Sequence, residues 1–168
     1  MQRGTISVPK DMLALRAVRE PFYITVPGNA EITVTGHTNA RFYQKVTVTD
    51  VTGGQTYIFT GSGEREKVMA IDGSSAQSQV TLDSLESKPL YRTLYLSFEY
   101  SPSGSGGKLQ TADVLAPRTR SEYDGPHNLK QISWEISSED GQDKDFDDSV
   151  IQITAHINKD LRNNRPLV

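Results

Sequence analysis

The feature that most constrains this chain lies near its end, in the run Glu139-Asp140-Gly141-Gln142-Asp143-Lys144-Asp145-Phe146-Asp147-Asp148. Six carboxylates fall within ten residues against one lysine, so the run carries −5 while the whole chain carries −3. Such a density cannot pack as core. If the fold holds it in place, its charge must be balanced, and a hard cation with oxygen ligands is the simplest counter-charge. Asp143, Asp145 and Asp147 are spaced two apart and Asp148 follows at once, so a tight loop can curl them around one or two centres. Glu139 and Asp140 can reach back from the preceding segment. A solvated acidic loop is the competing reading.

The helix-loop-helix calcium motif also begins D-x-D-x-D, but it requires glycine at its sixth position and glutamate at its twelfth. Counted from Asp143, those positions are Asp148 and Thr154. The helical motif is therefore broken. The next residues, Ser149-Val150-Ile151-Gln152-Ile153-Thr154-Ala155, read as a strand. The run is thus expected to be a calcium loop between the last two strands.

The rest of the chain is strand-like. Glu31-Ile32-Thr33-Val34-Thr35 alternates with period two, and Phe22 to Val26 ends at the turn signal Pro27-Gly28-Asn29. Further strands are expected over 42–50, 56–60, 68–71, 80–82, 90–100, 129–136 and 150–157, and Leu109 to Leu115 leads to Pro117. Gly36 to Arg41 reads as a polar connection, Gly61 to Glu64 as a turn and 117–128 as irregular. Residues 1–20 suit an edge strand or a short helical turn. With no helical periodicity, no internal repeat and no linker, the expectation is all-β. It is one antiparallel β-sandwich domain over 1–168 with about nine or ten strands.

Several functions are excluded or unsupported. Cysteine is absent, so disulfides and thiolate metal sites are ruled out. His37, His127 and His156 are far apart in sequence and suggest no zinc cluster. No basic stripe points to nucleic acid. No apolar run approaches membrane-spanning length, and the N-terminus lacks the apolar core of a signal peptide. The crowded carboxylates could serve glycoside hydrolysis only at a fixed separation, and no separate nucleophile or base accompanies them. The chain is not read as an enzyme. Tyr57, Phe59, Tyr95 and Phe98 are expected in the core. Arg41, Phe42 and Tyr43 follow a polar segment, where they can face a ligand or simply begin a strand.

The segment Ser138-Glu139-Asp140-Gly141-Gln142-Asp143-Lys144-Asp145-Phe146-Asp147-Asp148-Ser149-Val150 resembles the calcium loop of the bacterial two-calcium, fucose- and mannose-binding lectins. That family carries S-E-D-G, any residue, D, any residue, D, an aromatic, N or D, and D, before an apolar strand. By this resemblance Glu139, Asp143, Asp145, Asp147 and Asp148 are calcium ligands, with Asp147 standing where the family usually has asparagine. Two adjacent calcium ions are implied, to which two hydroxyls of one sugar bind directly. Asp143, Asp145 and Asp148 would also accept hydrogen bonds from those hydroxyls. Upstream, Thr35-Gly36-His37-Thr38-Asn39-Ala40-Arg41-Phe42-Tyr43-Gln44 is similar to the family segment that completes the site. It implies Asn39 as a further ligand, with Ala40 and Arg41 beside the sugar. Alanine at that position resembles the mannose-preferring members, whereas Arg41 and Phe42 are bulkier than the family pattern.

The resemblance implies calcium-dependent binding of mono- or oligosaccharides of mannose or fucose type, and a homodimer or higher homo-oligomer. Family chains often end at a glycine whose carboxylate reaches into the partner's site. That place falls near Asn158 here, and ten residues follow, which leaves the second ion held differently or missing. The competing role is a structural or interaction domain whose calcium only stabilises the acidic loop.

Overall fold

The computed structural model describes residues 22–74, 76–85, 89–141 and 144–157. Every helix or strand among them is a strand, and every strand pairing is antiparallel. In chain order the strands are β1 (Phe22–Pro27), β2 (Ala30–Asp50), β3 (Gln55–Val68), β4 (Ala70–Ile71), β5 (Gln79–Leu82) and β6 (Tyr91–Ser101). They continue with β7 (Gln110–Thr111), β8 (Asp113–Val114), β9 (Arg118–Tyr123), β10 (Leu129–Glu139) and β11 (Ser149–Ile157). The all-β sandwich expected from the sequence is present, with eleven strands rather than nine or ten. The expected edge strand or helical turn over 1–20 lies outside the described residues.

β2 links the two layers of the sandwich. Its first half runs between β11, from Ile157↔Ala30 to Ser149↔Thr38, and β5, from Ile32↔Leu82 to Thr35↔Gln79. Its second half runs between β3, from Gln44↔Gly61 to Asp50↔Gln55, and β6, from Tyr43↔Ser101 to Asp50↔Leu94. The layers close on one core that includes Ile32, Val34, Val48, Phe59, Leu96 and Ile151. Phe59 and Phe98 join this core as expected, while Tyr57 is only half-buried and packs against it. Tyr95 lies on the other face of β6 against Tyr23, ring centroids 5.0 Å apart, because the alternation of the strand turns Leu94 and Leu96 inward instead.

Three expectations change. The polar connection over 36–41 is not a break, because β2 is continuous through it. Its inward positions there are Gly36, Thr38 and Ala40, small residues that keep the alternation of burial without apolar bulk. A Cβ at Gly36 would come within 2.8 Å of Ile151 Cδ1 and 3.0 Å of Met69 Sδ, so the core closes over the bare backbone. The turn expected at Gly61 to Glu64 is likewise part of β3. The irregular segment 117–128 contains β9, which pairs with β10 and is almost wholly solvated, so no apolar face marked it.

Where β2 passes from one layer to the other, its register against β3 shifts twice, between Thr38 and Ala40 and between Ala40 and Gln44. Ala40 pairs with Gly63, Thr38 with Lys67 and Gln44 with Gly61. Glu64 to Glu66 therefore bulge opposite Asn39 alone, and Arg41 to Tyr43 bulge opposite Ser62 alone. β-bulges of this kind re-aim side chains. The β10–β11 hairpin ends beside the same place, since Ser149 pairs with both Ser138 and Thr38.

Candidate metal centre

The acidic run forms the connection between β10 and β11. Backbone amides hold it closed on its own carboxylates. Glu139 Oε1 accepts the amide of Gly141 at 2.9 Å, and Oε2 accepts that of Phe146 at 3.2 Å. Asp148 Oδ2 accepts the amide of Asp140 at 2.6 Å. The Asp148 amide in turn donates to Ser138 O at 3.1 Å. Gly141, Lys144 and Phe146 adopt positive φ of 92°, 59° and 57°, which gives the loop its curl. Phe146 is buried and anchors the turn from within the run of acids.

β2 closes the other side. The Asn39 amide donates to Asp148 O at 3.1 Å, and Asn39 Nδ2 donates to Asp147 O at 3.3 Å. Asn39 Oδ1 accepts the amide of Glu66 in the β3 bulge. Gln44, fully buried, donates from Nε2 to Asp140 Oδ2 at 3.3 Å. Arg41 Nε lies 3.0 Å from Glu64 Oε1 in an exposed ion pair.

Two groups of carboxylates have ligand atoms mutually within 4.8 Å: Glu139, Asp140 and Asp148, and Asp145, Asp147 and Asp148. The first group is buried, the second runs from exposed Asp145 to buried Asp148, and Asp148 belongs to both. Burial pushes the Asp148 carboxyl up to about 8. Repulsion from Asp140 and Glu139 and a hydrogen bond to Glu139 push the same way, while the amide bond from Asp140 partly offsets them. A carboxyl that resists ionisation among like charges marks excess negative potential, which a divalent cation would relieve. The donor set is all oxygen, which fits a hard ion.

Of the site residues expected from the sequence, Asn39, Glu139, Asp145, Asp147 and Asp148 lie on this loop or against it. Asp143 lies outside the described residues. Ala40 is buried on the core side of β2, whereas Arg41 is exposed beside Asn39. Asp140 and Gln44 were not among the expected site residues. Asp140 was read as able to reach back with Glu139, but the family resemblance did not name it among the ligands. Gln44 carries no local signal at all, since a glutamine at an inward strand position looks like any strand polar residue.

The fucose-binding lectin II (PA-IIL) family model matches residues 24–157. No curated protein matches the sequence. Among solved structures, the chain is similar to the Chromobacterium violaceum lectin CV2L in complex with alpha-methyl-fucoside. That likeness has 18% identity and a TM-score of 0.52 and covers 87% of this chain and 96% of that one. It is a likeness of fold. The Ralstonia solanacearum high-affinity mannose-binding lectin matches at 22% identity and TM-score 0.46. The C-terminal domain of BC2L-C lectin from Burkholderia cenocepacia matches at 18% and 0.49. Both cover 87% of this chain and 96% of the other.

Proposed function

Because the chain belongs to the fucose-binding lectin II (PA-IIL) family, we propose that it binds sugars through calcium held by the β10–β11 loop. The ligands in this reading are Glu139, Asp143, Asp145, Asp147 and Asp148, with Asn39 from β2. The observation that carries it is the place of Asp148 in both carboxylate groups. A carboxylate with two oxygens and about four lone-pair sites can serve two neighbouring ions. We take the count as two.

Calcium supplies a fixed positive field to which neighbouring hydroxyl oxygens of one sugar can bind in place of water. The chain's own part is to hold the carboxylates and to orient the hydroxyls. Asp143, Asp145 and Asp148 accept hydrogen bonds from them, and charged acceptors make such bonds short and strong. The group Asp145, Asp147 and Asp148 opens to solvent, where a sugar can reach it. Of the two residues read as flanking the sugar, Arg41 is exposed and Ala40 is buried, so discrimination falls to Arg41 and the backbone. Mannose and fucose are the two candidates; the lean to mannose rests on the sequence likeness of Ala40 to the mannose-preferring members alone, since its buried side chain makes no contact with which to choose.

The buried group Glu139, Asp140 and Asp148 favours a second reading, in which a closed calcium shell only stabilises the loop. Titration calorimetry with methyl α-mannoside and methyl α-fucoside, in calcium and then in chelator, separates the two. Heat in calcium that vanishes in chelator is expected. No heat from either sugar at millimolar concentration, in protein shown to hold calcium, leaves the structural reading. The proposal treats 1–168 as one domain and expects a homodimer or higher homo-oligomer, for which light scattering is the check.

A further inference from the structure

The β3 bulge has two flanks. One touches the candidate metal centre: the Glu66 amide donates to Asn39 Oδ1, whose own Nδ2 reaches Asp147 O. On the other flank, Ser62 and Lys67 line a cavity of about 350 Å³ together with Tyr43, Val68, Gln77 and Ser78. The chain folds back there, since Thr60 pairs with Ala70 after the bulge. Lys67 pairs with Thr38, the residue before Asn39, so the cavity begins on the strand next to the one that carries Asn39. Phe42 pins the facing bulge of β2 by stacking on Tyr100, with ring centroids 6.1 Å apart and planes 8° apart. Its neighbour Tyr43 forms a wall of the cavity.

We propose that this cavity is a second sugar subsite, which takes the next residue of an oligosaccharide whose first residue sits at the β10–β11 loop. The inference rests on the sugar-binding reading above and extends it from a monosaccharide to a glycan. A half-buried tyrosine offers an apolar ring face with a polar tip, suited to the C–H face of a pyranose. Lys67, Gln77, Ser78 and Ser62 surround it with exposed donors and acceptors for hydroxyls. A few polar groups around an aromatic wall in a few hundred Å³ is the usual make-up of a small-ligand site. The bulge between the two places carries Arg65 and Glu66 at φ of 67° and 53°, left-handed conformations that side chains of this size rarely adopt. Backbone held in that region in two successive residues fixes the partition between loop and cavity in one shape.

The test compares mono- and disaccharides on the full chain in calcium. Calorimetry is run with methyl α-mannoside against α1,2-, α1,3- and α1,6-linked mannobiose, and with methyl α-fucoside against fucosyl-α1,2-galactose. At least one disaccharide is expected to bind about tenfold tighter than its monosaccharide. Tyr43→Ala, which removes the wall, and Gln77→Trp, which fills the cavity, should each bring that ratio down to about one while monosaccharide affinity stays within about twofold. Unchanged monosaccharide binding also shows that each variant is folded. The subsite is overturned if no disaccharide exceeds its monosaccharide, or if the preference survives both variants. If the wild-type chain binds neither monosaccharide in calcium, the sugar-binding reading falls and this one with it.

Discussion

Asp148 Oδ2 accepts the amide of Asp140 at 2.6 Å, so the last acid of the run closes back on the second. This bond sets the carboxyl among Glu139 and Asp140 and gives it its place in both carboxylate groups. Asp148→Asn keeps an acceptor for that amide and removes the charge. Calcium affinity is expected to fall by more than roughly a hundredfold, beyond the effect of losing an outer-shell partner. The calcium-free protein, relieved of a carboxyl that burial and like charges make hard to ionise, should melt no lower than wild type at pH 8. Scanning calorimetry in chelator and in calcium reads both effects, and a variant that keeps a wild-type calcium response would refute the shared role.

The same group gives a pH dependence with a definite sign. The carboxyl of Asp148 is raised from 3.8 to about 8 in the fold. Between those values the unfolded chain loses a proton that the folded chain keeps, so the unfolded state binds fewer protons and stability falls as pH rises. The chelated protein should therefore lose melting temperature from about pH 4 to pH 8, as far as this group is concerned. Calcium favours the ionised form, so the shift between calcium and chelator should widen over the same window. Paired melts at pH 5, 6, 7 and 8 measure it. A calcium shift that is flat or narrows with pH contradicts the assignment.

The acidic run was legible because charge density is a local property of sequence, and it did come to lie on one loop. Its centre was less legible. Spacing put Asp143, Asp145, Asp147 and Asp148 on one loop without ranking them, whereas the fold gives the shared position to Asp148, because the turn at Phe146 folds the end of the run against its beginning. The sandwich was legible through alternation at Ile32, Val34, Val46 and Val48. The continuity of β2 was not, because Gly36, Thr38 and Ala40 occupy inward positions without an apolar signature, and only the close approach of Ile151 and Met69 explains them. β9 escaped notice for the opposite reason, since Arg118 to Tyr123 bury no face that could have shown a period. Gln44 meets Asp140 across 96 residues of sequence, a pairing that only the folded chain brings about.

Far along β2 from Asn39, Arg92 grips Asp50. Its Nε and Nη2 lie 2.9 and 2.7 Å from Asp50 Oδ2, and its Nη1 donates to Asp83 O at 2.7 Å. Asp50 Oδ1 accepts the amide of Gly53, which fixes the β2–β3 turn. Both side chains are buried, so removing one charge strands the other. Asp50→Asn is expected to cost about 3–5 kcal/mol in denaturant unfolding. Sugar and calcium affinity of the folded variant should be unchanged, because eleven residues of strand, roughly 35 Å along its path, separate Asp50 from Asn39. A loss of calcium binding without a loss of stability would mean that the pair acts on the loop instead.

Phe146 gives the sharpest test of how the loop is built. It is 4% exposed, and it stands between Asp145 and Asp147, which both belong to the outer carboxylate group. Burying the ring fixes where its two neighbours point, and its amide also caps Glu139. Phe146→Ala removes the anchor yet keeps a side chain at φ of 57°, a conformation unfavourable for alanine. Phe146→Gly removes the anchor but adopts that φ freely. Calcium affinity should fall by roughly tenfold or more in both, although no ligand has been touched, and less in the glycine variant. Lys144 is the control: exposed, at φ of 59°, with no ring to lose. Lys144→Gly takes up that φ freely and also removes the one positive charge of the run, so calcium affinity should hold or rise and is not expected to fall. If Phe146→Ala binds calcium as wild type does, the ring does not hold the site, and the order of the loop comes from its carboxylate–amide bonds alone.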